Sequence, residues 1–215
     1  MTRRIAFLDI DGTILDHAGT IPDSTRKAIS AARRAGHLVY LASGRGPTEV
    51  EDRVAGLGFD GAVLGAGAYA WIGELWREGG WRIERLMDPA RVAELVRTYR
   101  EVGADFVLQG RDDVWATQHA FDRLARTLEA EGRLTDETRD ALLGRIEITD
   151  DPPHEGIAKS VFSSDDLGTY EAMKLALGDA FTVITGTMPG LGTAGGEISP
   201  AGVSKGSTQI GRAHV

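Results

Sequence analysis

The sequence predicts an α/β protein: a core built on a parallel sheet, with an α+β unit inserted into it. Three observations carry this expectation. Through the first third of the chain, short apolar runs alternate with helix-patterned stretches, as strand–helix–strand units with right-handed crossovers do. After Gly65 the pattern changes to closely spaced short strands, tight turns and longer helices. Hydrophobic residues make up 42% of the 215, enough to bury a real core in one large domain or two small ones.

Taken in order, Ile5 to Leu8 is a short apolar run of the kind that forms a buried parallel strand. Leu15 to Pro22 is a polar loop. Asp23 and Ser24 open a helix that runs to about Ala35, with Ala28, Ile29, Ala32 and Ala35 at helical spacing, and Gly36 stops it. His37 to Ala42 is the second strand, ending in Ser43-Gly44-Arg45-Gly46. A helix is expected from Pro47 to Leu57 and a third strand from Ala62 to Leu64.

Tyr69 to Ile72 and Trp81 to Leu86 read as strands around the Gly79-Gly80 turn. Asp88-Pro89 opens a helix to about Val102. Phe106 to Gln109 and Val114 to Thr117 read as a hairpin; Ala120 to Glu131 and Asp136 to Leu143 read as helices, and Asp150 to Gly156 as a loop. Ala158 to Phe162, Tyr170 to Leu177 and Phe181 to Thr185 read as strand, helix, strand. The glycine-rich run Gly186 to Gly196 lacks a strand–loop–helix frame, so it reads as a turn rather than a phosphate cradle. Gly195 to Pro200 is expected to return the chain to the first domain, and Val203 to Gly206 to open the last helix. The expected domains are 1–80 with 188–215, and an insert over 81–187.

Net charge is −8 with both signs mixed along the chain, and no basic stripe appears, which argues against nucleic acid as a partner. The absence of cysteine excludes disulfides, thiolate metal sites and cysteine nucleophiles. The first strand starts too soon for a signal peptide, and no apolar run approaches the ~20 residues of a membrane span. A cytoplasmic protein is expected.

The chemistry is expected where the first strand ends, at Asp9-Ile10-Asp11-Gly12-Thr13. On a strand, aspartates two apart point to one face. Two adjacent carboxylates repel and are costly to bury, so a fold keeps them mainly for a cation or a reaction. Gly12 permits a tight turn, and Thr13 adds a hydroxyl at the same mouth. A calcium loop is excluded, because its twelfth position would be Thr20 rather than Glu. Ser43 and Gly44 lie at the end of the second strand, where a hydroxyl and free amides suit an anion; an ordinary helix-capping serine is the alternative.

The D-x-D-G-T run resembles the first motif of the haloacid dehalogenase-like (HAD) phosphohydrolases, and Gly202-Val203-Ser204-Lys205-Gly206, with Glu197-Ile198-Ser199-Pro200 before it, resembles the third motif of their Cof-type branch. The resemblance extends over the chain to about Gly206. It implies a Rossmann-like core with a large α/β cap, and Mg²⁺-dependent hydrolysis of a small phosphorylated metabolite, a sugar phosphate or flavin nucleotide. It implies Asp9 as nucleophile, Asp11 as acid and base, and Gly12, Thr13, Ser43, Gly44 and Lys205 around the phosphate. Mg²⁺ would be held by Asp9 and the main-chain carbonyl of Asp11. A phosphosugar mutase or a mannosyl-3-phosphoglycerate-type phosphatase would share these motifs; a non-catalytic phosphate-binding or signalling protein is the alternative of another class.

The sequence departs from the family pattern twice. Ala66-Gly67 stands where an Asn-Gly pair is usual, and the fourth motif, an acidic G-D-x-x-N-D run, is missing, since no Asp or Glu follows Glu197. The tail Ile210 to Val215 resembles the translation of a sequencing-adapter read-through. A truncated fragment is therefore expected, with non-native residues after about Thr208 and little or no activity of its own.

Overall fold

The fold is described from a computed structural model, over residues 2–16, 19–132, 134, 139–185 and 194–210, the side chains of 141, 142, 209 and 210 excepted. It divides into two compact units, Met1–Arg85 with Val203–Val215, and Leu86–Gly202.

The first unit carries a five-stranded sheet in the order β1 (Ile5–Leu8), β2 (Leu38–Ala42), β3 (Gly61–Leu64), β4 (Tyr69–Ile72), β5 (Gly80–Glu84). The first three are parallel, in register Leu8↔Leu41 and Ala42↔Val63; β4 and β5 add antiparallel. Helix α1 (Asp23–Arg34) makes the first crossover, with Asp23 in its first turn and Arg33 and Arg34 in its last, charges that complement the helix dipole. The central strand β3 is buried throughout, whereas β1 is exposed at Ile5 and Ala6 and pairs on one side only among the described residues.

The expected Pro47–Leu57 helix is broken. A 3-10 turn, Pro47–Glu49, is followed by extended Val50 and the four-residue α2 (Asp52–Ala55). The cause is Arg45, whose Nη1 takes the Glu49 carbonyl and the Glu51 carboxylate, both at 3.2 Å, and so draws the chain away from helical bonding.

The second unit is a six-stranded sheet in the order β10 (Phe181–Thr185), β11 (Gly196–Pro200), β9 (Lys159–Ser163), β6 (Asp105–Gln109), β7 (Val114–Ala116), β8 (Ile146–Ile148). It is antiparallel except for β7 and β8. Its helices are α3 (Pro89–Val102), α4 (Gln118–Ala130), α5 (Arg139–Leu143) and α6 (Thr169–Leu177). Asp88 caps α3, accepting from the Ala90 amide at 2.9 Å. The core gathers Val92, Leu95, Tyr99, Phe106, Leu108, Phe162, Met173 and Ile198, with Tyr99 stacked on Phe106 at 5.3 Å.

Two expectations on boundaries need correction. Strand β5 belongs to the first unit because it pairs with β4, so the chain leaves that unit after Arg85. Gly195 to Pro200 does not return the chain to it: β11 is hydrogen-bonded between β10 and β9, and the return comes after Gly202. A buried ion pair pins β11 there, Lys159 Nζ to Glu197 Oε2 at 2.6 Å, with both residues under a tenth exposed. Residues 136–138 of the expected fifth helix, most of the glycine-rich run (186–193) and the tail after residue 210 lie outside the described residues.

Candidate active site

Asp9 follows β1 directly. Its Oδ1 accepts from the Ile10 amide at 2.8 Å, and its Oδ2 lies 2.8 Å from Lys205 Nζ, which stands at the start of α7 (Lys205–Ile210). The Ile10 carbonyl receives the amides of Ile14 at 3.0 Å and Leu15 at 2.8 Å, which fixes the turn that displays Asp11, Gly12 and Thr13. Ile10, Ile14 and Leu15 are buried beneath this turn, and the three residues it displays are exposed. Gly12 has φ +74°, a left-handed conformation that glycine adopts without strain.

Arg45 reaches across to Asp11, Nη2 to Oδ1 at 2.7 Å and Nε to Oδ2 at 3.1 Å. Ser43 directly follows β2, as Asp9 follows the neighbouring parallel strand β1. It is 1% exposed, and its Oγ accepts from the Arg45 amide at 3.1 Å. The Arg45 amide is thus already turned to the serine, and the Ser43 hydroxyl proton remains a donor.

Burial alone would push the Arg45 guanidinium down, but the hydrogen bonds and charges of Asp11 and Glu51 hold it above its already high ordinary value. Burial likewise works against Glu51, but Arg53 and Arg45 hold its carboxyl below the ordinary 4.5. A chain of alternating charges, Asp11–Arg45–Glu51–Arg53, therefore runs back from the mouth, and Arg53 ends it on the Gly19 carbonyl at 2.7 Å.

A carboxylate and an ammonium in contact across 196 residues of sequence, with a second carboxylate and a guanidinium at the same strand end, suit transfer of an anionic group. The family model of haloacid dehalogenase-like hydrolases matches residues 6–209. The chain belongs to this family.

Other comparisons agree in fold. The solved structure of a haloacid dehalogenase-like hydrolase from Bacillus subtilis superposes with a TM-score of 0.74 at 16% identity, over 99% of this chain and 78% of that one. The HAD subclass IIB sugar phosphatase BT4131 superposes with a TM-score of 0.65 at 17% identity, over 97% of this chain and 74% of that one. In sequence, 58 residues are 48% identical to the Bacillus subtilis (strain 168) protein named "Putative phosphatase YkrA". That match spans 27% of this chain and 23% of that protein, under a quarter of its length.

In this member of the haloacid dehalogenase-like family the structure brings Asp9 and Lys205 into contact and puts Ser43 at the adjoining strand end. Sequence reading does not find the role of the Arg45 side chain as the partner of Asp11, although an arginine two residues after a strand-end serine is a visible signal. It also missed Thr208 and Arg85, whose contacts with each other span 123 residues and leave no local trace.

Proposed function

We propose that the chain is a phosphomonoester hydrolase that works through an aspartyl-phosphate on Asp9. The single observation that supports it most is the 2.8 Å contact of Lys205 with Asp9 at the carboxyl end of a parallel strand. Asp9 Oδ attacks phosphorus and the ester P–O bond breaks, with Asp11 giving its proton to the departing oxygen. Asp11 then takes a proton from water, whose oxygen displaces the Asp9 carboxylate and releases phosphate. Lys205 sets positive charge beside the nucleophile, and Ser43 offers a hydroxyl to the phosphoryl oxygens. Leu86–Gly202 serves as a cap that selects a small phosphorylated metabolite, a sugar phosphate or flavin nucleotide. The likeness to the sugar phosphatase BT4131 is one of fold.

Mg²⁺ fits the residues in kind. The Asp9 carboxylate and the Asp11 main-chain carbonyl would hold it, both being hard oxygen donors of the kind the ion prefers. When bound, it neutralises charge on the phosphoryl oxygens. No third acidic or histidine side chain joins them among the described residues, and no Asp or Glu follows Glu197. We expect weak Mg²⁺ binding and slow turnover from the 215-residue chain; calorimetry showing tight Mg²⁺ binding together with rapid turnover would overturn that expectation. No helix among the described residues is long and apolar enough to cross a membrane, and a cytoplasmic site of action is part of the proposal.

The test of the mechanism is p-nitrophenyl phosphate hydrolysis at high enzyme concentration. Asp9→Asn should abolish phosphate release, because an amide is no nucleophile, and Asp11→Asn should lower it by about 10²–10⁴-fold. Asp9→Asn retaining the wild-type rate would rule out the covalent route.

A further inference from the structure

Helix α7 begins at Lys205, and side-chain contacts hold its first turn in place. Thr208, fully buried one turn on, donates from Oγ1 to the Gly67 carbonyl at 2.8 Å and accepts from Arg85 Nη1 at 3.0 Å. Arg85 Nη1 also donates to Ser207 Oγ at 3.3 Å. Ser204 and Ser207 cap each other's amides, at 3.0 and 3.1 Å, on either side of Lys205. Gly67 sits so close that a Cβ there would lie 2.2 Å from the Ser204 carbonyl oxygen.

The turn that receives these contacts, Gly65–Gly67, is tied on its other side to the end of β2. Its Ala66 amide donates to the Ser43 carbonyl at 3.2 Å, and its Gly65 amide to the Arg45 carbonyl at 2.8 Å. One short turn therefore sets the spacing between the Ser43–Arg45 segment and the helix that carries Lys205.

We propose that Thr208 and Arg85 are positioning residues, which clamp α7 to the Gly65–Gly67 turn and thereby hold the Lys205 ammonium on Asp9. The proposal rests on the phosphatase reading for its catalytic consequence, not for its geometry. Without the clamp the start of the helix shifts, and a reacting group misplaced by ~1 Å can cost about 10²-fold in rate.

Thr208→Val keeps the shape and removes the hydroxyl; Arg85→Met keeps the stem and removes the guanidinium, and stands in should Thr208→Val not fold. Both should lower kcat on p-nitrophenyl phosphate by about 10- to 100-fold with little change in KM. Thr208→Ser should restore the rate. In a Lys205→Ala background Thr208→Val should cost nothing more, the mark of two residues acting through one group. Independently of turnover, the ¹³C order parameter of the Lys205 ε-methylene should fall in both variants. Wild-type kcat and an unchanged order parameter in Arg85→Met and a folded Thr208→Val would overturn the proposal. So would the same fold-loss with and without Lys205. If the wild-type chain releases no phosphate, the order parameter alone decides, because it does not depend on the phosphatase reading: lowered supports the clamp, unchanged refutes it.

Discussion

Arg45 closes both arms of its fork on Asp11, so the residue proposed as acid and base is oriented by two charge-assisted hydrogen bonds. Asp11 is itself 62% exposed, and the orientation is a property of the pair rather than of burial. Arg45→Met should lower kcat on p-nitrophenyl phosphate by about 10- to 100-fold, and Arg45→Lys should recover only part of it, because a point charge cannot bond both oxygens in one plane. Steady-state kinetics of the three proteins measure this; equal rates would show that the fork is irrelevant to the reaction.

Acid should weaken the same network. Glu51 has its carboxyl held below the ordinary 4.5, so its contribution to stability is present above that value and is lost as pH falls through the lowered one. Thermal melts from pH 7 down to about 3 should therefore show a loss in the wild type that Glu51→Gln lacks. Parallel pH profiles for the two proteins would contradict this.

Ala66 occupies a left-handed conformation, φ 56° and ψ 23°, which costs an L-residue about 1–2 kcal/mol. Glycine relieves that cost but gives back part of it as unfolded-state entropy. Ala66→Gly should stabilise the first unit by about 0.5–1 kcal/mol, and Ala66→Asn, the residue that the family resemblance leads one to expect, by a similar amount. Urea unfolding monitored by tryptophan fluorescence, which the Trp71–Trp76–Trp81 cluster in the same unit reports, tests both.

The pair Lys159–Glu197 predicts the opposite sign in the second unit. Glu197→Gln leaves a buried ammonium without its carboxylate and should cost about 3–5 kcal/mol. The double change Lys159→Met with Glu197→Leu should recover most of that loss, since two buried charges vanish together. Denaturant midpoints of the single and double variants decide it, and a single variant as stable as the wild type would show that the pair contributes nothing.

What the sequence made legible follows from how local each signal is. Asp9 and Ser43 each follow directly on an apolar strand, and that pattern is written in one short consecutive run. Lys205 could be placed only through its resemblance to a family motif, because a lysine opening a short helix has no pattern of its own. Strand β11 was assigned to the wrong unit because its neighbours in the sheet, β9 and β10, and its ion-pair partner Lys159 are fixed by pairing, which hydrophobic periodicity does not encode. The broken helix after Pro47 has the same origin: helical propensity there is adequate, and a side chain already committed to Asp11 takes the carbonyl and carboxylate that a helix would have left alone.

The contact between Lys205 and Asp9 also has a kinetic side. Closing a flexible loop of 196 residues costs about 5 kcal/mol of chain entropy from length alone, before any constant term. Folding of Leu86–Gly202 removes that stretch from the flexible loop, so the order of events favours the insert first and the ammonium–carboxylate contact late. The reactive end of β1 would then be assembled only after the rest of the chain is in place. Pulse-labelled hydrogen exchange during refolding makes the sequence visible: amides of β6 and β9 should gain protection before that of Thr208, and the reverse order would show that the site itself nucleates the fold.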